Sequence, residues 1–376
     1  MLVMDVDRVA EPVSGQGIPT PRGGDPLAPV HRPSLASTAH RGSYGWRPLA
    51  GPALLERLRN TGRPRPPVDP ELSGRLRLVL EQGLPPEPEG TGVGRAVRAG
   101  RAGAGGDGPR SVPPLVVTKD RLTRVLACEA HQVVAEFGAR PPTIAMACGA
   151  IVDVLFRQLV TVGSIGEPMV DGLAALSVDD HQRALVSWIE RLPGPERDQL
   201  HAEVDRQAGG LCRRWPSLDP SWLPRTQEAF RVPVAGGTVE LSARVDLAIG
   251  APATDEASVA IVEVKSGVRR AEHRADLHFY ALLESLRSPA PPFVVATYYT
   301  RTGELDVDPV SEELLVGATR RTLAGTRLLW RLSHGSDPLP TPNSLCAACA
   351  ARPDCTVGRS RSDAQAGGGL PGAATP

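Results

Sequence analysis

From Val239 to Leu247 the chain alternates apolar with polar residues: Val239, Leu241, Ala243, Val245 and Leu247 are interleaved with Glu240, Ser242, Arg244 and Asp246. A repeat of two marks a strand with one buried face. After a polar loop containing Pro252, residues 258–264 (SVAIVEV) form a nearly continuous apolar run, as a central strand does. The two runs are predicted to pair. Asp246 and Glu263 then lie near strand ends, and Lys265, two residues beyond Glu263, shares its face. A helix is expected over 274–286, a strand over 293–300 and a long helix over 311–332.

Upstream the pattern turns helical. Val116 and Val117 lead into a helix that Thr118 is placed to cap, with Leu122, Val125, Leu126, Val133 and Val134 at helical spacing. A second helix, over 143–162, follows Pro141 and Pro142 and is apolar on most sides, which predicts burial. Helices over 178–191 and 195–213 form a helical insertion that either covers a cleft or simply packs, and strands begin near Gln227. No apolar run reaches the ~18 residues of a membrane span, and the first residues lack the basic-then-apolar order of a signal peptide. A soluble cytoplasmic protein without a membrane partner is expected.

Composition divides the chain. Residues 1–112 are rich in Pro, Gly, Ala and Arg and poor in aromatic and β-branched residues, so they cannot bury enough apolar surface to offset ordering entropy and are expected to be disordered. Within them, 52–60 and 70–82 have helix-like patterns, read as a frayed linker in preference to transient helices or partner-docking segments. With 15 Arg against 11 acidic residues this third is only mildly basic. A domain is expected over 113–358, and a small polar tail over 359–376 should again be disordered. The formal net charge of the 376 residues is zero, so any nucleic-acid groove must be a local patch. Of 42 Lys plus Arg residues only two are Lys, Lys119 and Lys265. A Lys beside Glu263 in so Arg-biased a chain points to a site where a compact ammonium differs in kind from a guanidinium.

Two carboxylates close together repel, and a divalent cation held by hard oxygen ligands, such as Mg²⁺ or Mn²⁺, relieves that repulsion. An ammonium alongside stabilises charge building on a phosphoryl oxygen. Asp246, Glu263 and Lys265 therefore suggest phosphodiester hydrolysis; the plain alternative is a solvated hairpin. Nearby, Arg269, Arg270 and Arg274 are candidates for phosphate contact, and His273 and His278 for a hydrogen bond or a phosphate contact. A second constellation is Cys346, Cys349 and Cys355, a C-x2-C-x5-C run whose spacing in a cytosolic chain argues for metal rather than disulfides. Three thiolates leave one ligand missing, and Cys128 is the candidate fourth. Cys148 and Cys212 are read as ordinary helix residues. No phosphate-binding loop with a Lys is present, because no Lys is available for one.

The order Asp246, then Glu263-Val264-Lys265-Ser266-Gly267, then a helix carrying Tyr280, resembles the PD-(D/E)XK nuclease superfamily. The likeness is to its RecB-like branch, which includes nuclease domains of bacterial recombination complexes and CRISPR-associated exonucleases. The resemblance implies a restriction-endonuclease-like α/β core, a mixed sheet flanked by helices. It also implies a Mg²⁺- or Mn²⁺-dependent deoxyribonuclease, an exonuclease rather than an endonuclease. The substrate would be single-stranded DNA or duplex ends, in repair, recombination or defence, with a helicase or repair complex as partner. Asp246 and Glu263 would be metal ligands, with Asp153 and the Val264 carbonyl as further ones. Lys265 would be the catalytic lysine, and Tyr280 would orient the site. Glu228 falls where the family often has an acidic residue. Two positions depart from the pattern: Asp276 stands where the family usually has Gln in Gln-x-x-x-Tyr, and Asp153 where it has His in Gly-x-x-x-His. Members with one Cys before the core and three after it hold a 4Fe-4S cluster, so Cys128, Cys346, Cys349 and Cys355 would hold one here; four thiolates suit Zn²⁺ equally. Two other classes stay open: a catalytically inactive DNA-binding or assembly subunit that keeps the fold, and a zinc ribbon on an unrelated interaction protein.

Overall fold

A computed structural model describes residues 69–84, 113–138, 141–252 and 256–359. The 52–60 pattern and the tail beyond 359 lie outside the described residues, as do the rest of 1–68 and 85–112. The middle layer is a six-stranded mixed sheet of β1 (Leu115–Val117), β2 (Arg225–Val234), β3 (Val239–Ile249), β4 (Ala260–Lys265), β5 (Val294–Tyr299) and β6 (Glu304–Pro309). The helices are α1 (Leu72–Gly83), α2 (Lys119–Ala127), α3 (Glu129–Phe137), α4 (Ile144–Val162), α5 (Pro168–Ser177), α6 (Arg183–Glu190), α7 (Gly194–Arg214), α8 (Ala271–Arg287) and α9 (Glu312–Ser333). The class is the expected one, mixed α/β with helices on both faces.

β3 organises the sheet. One of its edges is taken along its length by antiparallel β2, from Val234 opposite Val239 to Arg225 opposite Ala248. The other edge is shared. β1 lies parallel against residues 239–241, and β4 lies antiparallel against 247–249. Residues 242–246 thus have no strand beside them on that edge among the described residues, and Asp246 sits at the end of this gap. β4 and β5 are parallel, which requires a crossover, and α8 supplies it. β6 closes the sheet as an antiparallel edge strand bearing Glu304, Asp306 and Asp308, charges suited to an unpaired edge.

Each face of the sheet has its own core. On one, α4, α5, α6 and α7 pack over Leu247, Ile249, Val262 and Ala296; on the other, α1, α2, α8 and α9 pack over Phe230, Leu241, Val245, Ile261 and Val295. In β4 the alternation is regular, Ile261 to one core and Val262 to the other. In β3 it is not, because Val245 and Leu247 go to different cores. The faces exchange at Asp246.

Three elements differ from the sequence expectation. The continuous helix expected from Thr118 is two, α2 and α3, broken at Cys128, whose φ of −169° is extended. The 70–82 pattern forms α1, which is docked: Leu72, Leu76 and Leu80, at four-residue intervals, are buried against α8 and α9. Each such side chain contributes about 1.5–3 kcal/mol by burial. Arg77 donates to the carbonyls of Pro233 and Leu286, and Arg327 to that of Gly83. α4 has the length and mean hydropathy of a membrane span, but its Ile151, Leu155, Phe156 and Leu159 are core residues.

Candidate active site

The β3 gap is where the acidic residues meet. Asp246 Oδ2 accepts the Val264 N–H at 2.7 Å, which ties β3 to β4 just past their last paired residues. Asp153 arrives from α4. Gly149, one turn earlier, lets that helix come close, since a Cβ there would sit 3.2 Å from the Ser266 hydroxyl. Glu263 is 2 % exposed, and Lys265, two residues on, reaches its Oε1 at 2.5 Å, as the strand period predicts. Gly149, Asp153, Val264, Lys265, Arg270 and His273 line a cavity of about 230 Å³.

Two residues that the sequence reading missed complete the group. Lys119, the first residue of α2, is also hydrogen bonded to Glu263 Oε1, and its ammonium lies 5.0 Å from the centre of the Tyr280 ring. The chain's two lysines therefore hold the same carboxylate. Their rarity was the available signal, but nothing in the local pattern joins Lys119 to a strand more than a hundred residues away. Thr118 does cap α2 as expected, accepting the Arg121 N–H at 3.3 Å, and parallel pairing of β1 with β3 aims the helix start at the site. The second missed residue is Gln227, whose φ of +55° is in the left-handed region. That conformation costs a non-glycine residue on the order of 1 kcal/mol. It sends the amide nitrogen between two carboxylates, 3.3 Å from Asp153 Oδ1 and 3.5 Å from Asp246 Oδ1.

The electrostatics follow from burial and charge. Burial alone would raise the Glu263 carboxyl, but Lys119 and Lys265 outweigh it and hold it down, to about 2. Asp246 moves the other way, well above the usual carboxylate range, through burial and the charges of Glu263 and Asp153. Asp153 is also raised, by burial and by Glu263, against the pull of Arg157. His273, 3.2 Å from the Tyr299 hydroxyl, is pushed down to about 4 by burial and by Lys265 and Arg270, so it is neutral near pH 7. Asp276 lies one turn before Tyr280 and accepts from the Thr123 hydroxyl at 3.4 Å rather than joining the carboxylate group.

Several expectations are corrected here. Glu228 does not face the site: it pairs with Arg225 at 2.8 Å and Arg287 at 2.6 Å, and the side chain beside Asp246 is that of Gln227. Arg269 and Arg274 do not line the cavity; they pair at the surface with Asp306 and Asp308 of β6, and His278 is also on Asp308 at 3.2 Å. Arg270 alone of the three lines the cavity. The Glu228 pairing predicts a separable effect. Burial raises its carboxyl, but Arg225 and Arg287 lower it overall. Its stabilisation is therefore complete above its ordinary value near 4.5 and is lost as pH falls below that. Glu228→Gln should cost on the order of 1 kcal/mol at pH 7, less at pH 3, and leave the site's chemistry unchanged. Melting curves at the two pH values check this, and an equal loss at both would refute it.

The cysteines also converge. Cys128, Cys346, Cys349 and Cys355 line one cavity at the far end of α2. Three of the sulfurs accept backbone N–H groups: Cys128 from Thr341 at 3.4 Å, Cys346 from Asn343 at 3.4 Å and Cys355 from Gly358 at 3.3 Å. His131 Nδ1 is 3.3 Å from Cys349 Sγ. Cys148 and Cys212 lie elsewhere, buried in the α4–α7 core. Among the described residues no three His, Cys, Asp or Glu side chains are placed closely enough to chelate an ion as they stand. The donor sets nevertheless suit metals. Glu263 Oε2 is buried with no hydrogen-bond partner, an orphaned hard oxygen, and four cysteine sulfurs share one cavity, three of them accepting backbone N–H groups.

Fold and site together define a class: an α/β protein whose helix-flanked mixed sheet opens at β3 onto clustered acidic residues and both lysines of the chain. No family model matches the sequence, and no curated protein matches it. Among solved structures, one from Eubacterium rectale named "Putative exonuclease" aligns with 64% of this chain and 87% of its own, at 12% identity and a TM-score of 0.40. Another, named SSO0001, aligns with 63% of this chain and 95% of its own, at 13% identity and a TM-score of 0.25.

Proposed function

We propose that this chain is a metal-dependent nuclease that hydrolyses DNA phosphodiesters. The observation that carries the reading is the convergence of Asp246, Glu263 and Asp153 with Lys265 at the open edge of β3, one Glu263 oxygen being left without a partner. Asp246 and Glu263 would hold Mg²⁺ or Mn²⁺, with Asp153 and the Val264 carbonyl as further ligands. Bound there, the ion supplies Lewis acidity toward a phosphoryl oxygen. Lys265 would position the attacking water and stabilise charge on the phosphate; Tyr280, its ring against the Lys119 ammonium, would orient the site. Burial and the charges of Glu263 and Asp153 raise the Asp246 carboxyl, and a cation held beside it would lower it again. Arg270, exposed on the cavity wall, is the phosphate contact left after its neighbours are paired. Cys128, Cys346, Cys349 and Cys355 would hold a 4Fe-4S cluster or Zn²⁺ that ties the two ends of the domain together.

The test is cleavage of end-labelled single- and double-stranded DNA with Mg²⁺ or Mn²⁺ by anaerobically purified protein, beside Lys265→Ala. Cleavage by the wild type with a loss of about 10²-fold or more in the variant is expected. The product ladder distinguishes exonuclease from endonuclease action. A second reading, a DNA-binding subunit without catalysis, is favoured by the Gln227 amide lying between Asp153 and Asp246. It predicts DNA affinity without cleavage in either metal.

A further inference from the structure

Glu263 carries more cation than a single catalytic lysine provides. Its Oε1 receives both Lys119 and Lys265, while Oε2 has no partner. The Lys119 side chain is one-fifth exposed, so it is neither sealed in the core nor an ordinary surface residue. It begins α2, where the Thr118 cap fixes the backbone, and it stands between the Glu263 carboxylate and the face of Tyr280. Burial would lower its proton affinity, yet Glu263 more than compensates and keeps it charged. Elsewhere this chain meets every need for a cation with Arg; only at Glu263 does it place Lys, twice.

A structural neutraliser would need one cation for one carboxylate. Two ammoniums on one oxygen exceed what Glu263 itself requires; the balance faces Asp246 and Asp153, which would become ligands with it, and a carboxylate that ligates a divalent cation must loosen its hold on the ammoniums it carries. Both side chains are long, flexible and adjacent to solvent, so each can swing from the carboxylate to a new anion within a few ångströms.

Resting on the nuclease reading, we propose that Lys119 is a second catalytic lysine. In the metal-free protein it keeps Glu263 ionised and in place. When Glu263 serves as a ligand, Lys119 transfers its charge to a non-bridging oxygen of the scissile phosphate. No covalent bond is made by the lysine and no proton leaves it.

The experiment compares full-length wild type with Lys119→Gln, Lys119→Met and Lys119→Arg. It follows Mn²⁺ binding by electron paramagnetic resonance, single-turnover DNA cleavage at saturating Mn²⁺, and thermal melting. Lys119→Gln is expected to lower the cleavage rate about 10²-fold while KM for DNA changes much less. Its Mn²⁺ affinity should hold or rise, by about threefold, because a like charge has been removed from the ligand. Lys119→Arg should recover part of the rate, and Lys119→Met guards against a polar group being stranded. A merely structural lysine would do the reverse: both neutral variants would melt early and bind Mn²⁺ more weakly, which overturns the proposal. Cleavage by folded Lys119→Gln within threefold of wild type overturns it too. A folded wild type that binds Mn²⁺ and cleaves no DNA defeats the nuclease reading itself, and with it the catalytic role of Lys119; Mn²⁺ affinity in the variants then reports only on the resting contact.

Discussion

Glu263→Gln should abolish DNA cleavage, by about 10³-fold or more, and should also destabilise the protein. The first effect removes the carboxylate that carries the orphaned oxygen. The second arises because two ammoniums lose the carboxylate to which both are bonded. Removing one partner of a buried ion pair costs about 3–5 kcal/mol, and the lower end applies here because each lysine keeps about a fifth of its side chain exposed. The pH dependence separates this from a generic core defect. With its carboxyl held down to about 2 in the folded protein against an ordinary 4.5, Glu263 stabilises fully above 4.5 and loses that contribution as pH falls toward 2. Wild type and variant should therefore differ most at neutral pH and converge in acid. Melting curves across that range, beside cleavage at pH 7, decide it. A variant that melts with the wild type at pH 7 would mean that the lysines do not depend on Glu263.

If the four cysteines hold the proposed cluster, Cys346→Ser should cost more stability than any substitution at the proposed hydrolytic site. Cys128 and the C-terminal three are separated by roughly 220 residues, and a cross-link closing a loop of that length constrains the unfolded chain by roughly 5 kcal/mol. For a domain of this size the melting temperature should fall by about 10–20 °C. On the proposed cluster reading, metal bound by the wild type should be lost from the purified variant. Elemental analysis of the wild type then separates the candidates: iron with sulfide and visible absorption, or zinc without colour. Equal melting of wild type and variant, with no metal in either, would leave the cysteines as plain packing residues.

The elements legible in the sequence were those whose causes are local. The alternation of β3, the apolar run of β4 and the two-residue step from Glu263 to Lys265 follow from strand geometry, and the Thr118 cap from hydroxyl chemistry at a helix start. The spacing of the C-terminal cysteines signalled a shared cavity. What escaped depends on pairing between distant segments. Glu228 looked like the acidic residue of the first core strand, but the left-handed turn at Gln227 and the exchange of faces at Asp246 send Glu228 to an arginine pair. β6, with ELDVDP only partly buried, carries too many charges to read as a strand, so the carboxylates that pair with Arg269 and Arg274 were invisible. The 70–82 helix was read as frayed because its partners, α8 and α9, lie two hundred residues downstream.

Lys119 and Cys128 are the first residue and the C-cap of one nine-residue helix. At about 1.5 Å per residue, α2 is a strut of about 13 Å with the proposed hydrolytic site at one end and the thiols at the other. Its hydrogen-bonded backbone stretches very little, so slack at the sulfur end becomes displacement at the ammonium end. The anchor and the blade are thus two tips of a single tool. Oxidative damage to the anchor would blunt the blade while most of the sheet still stood.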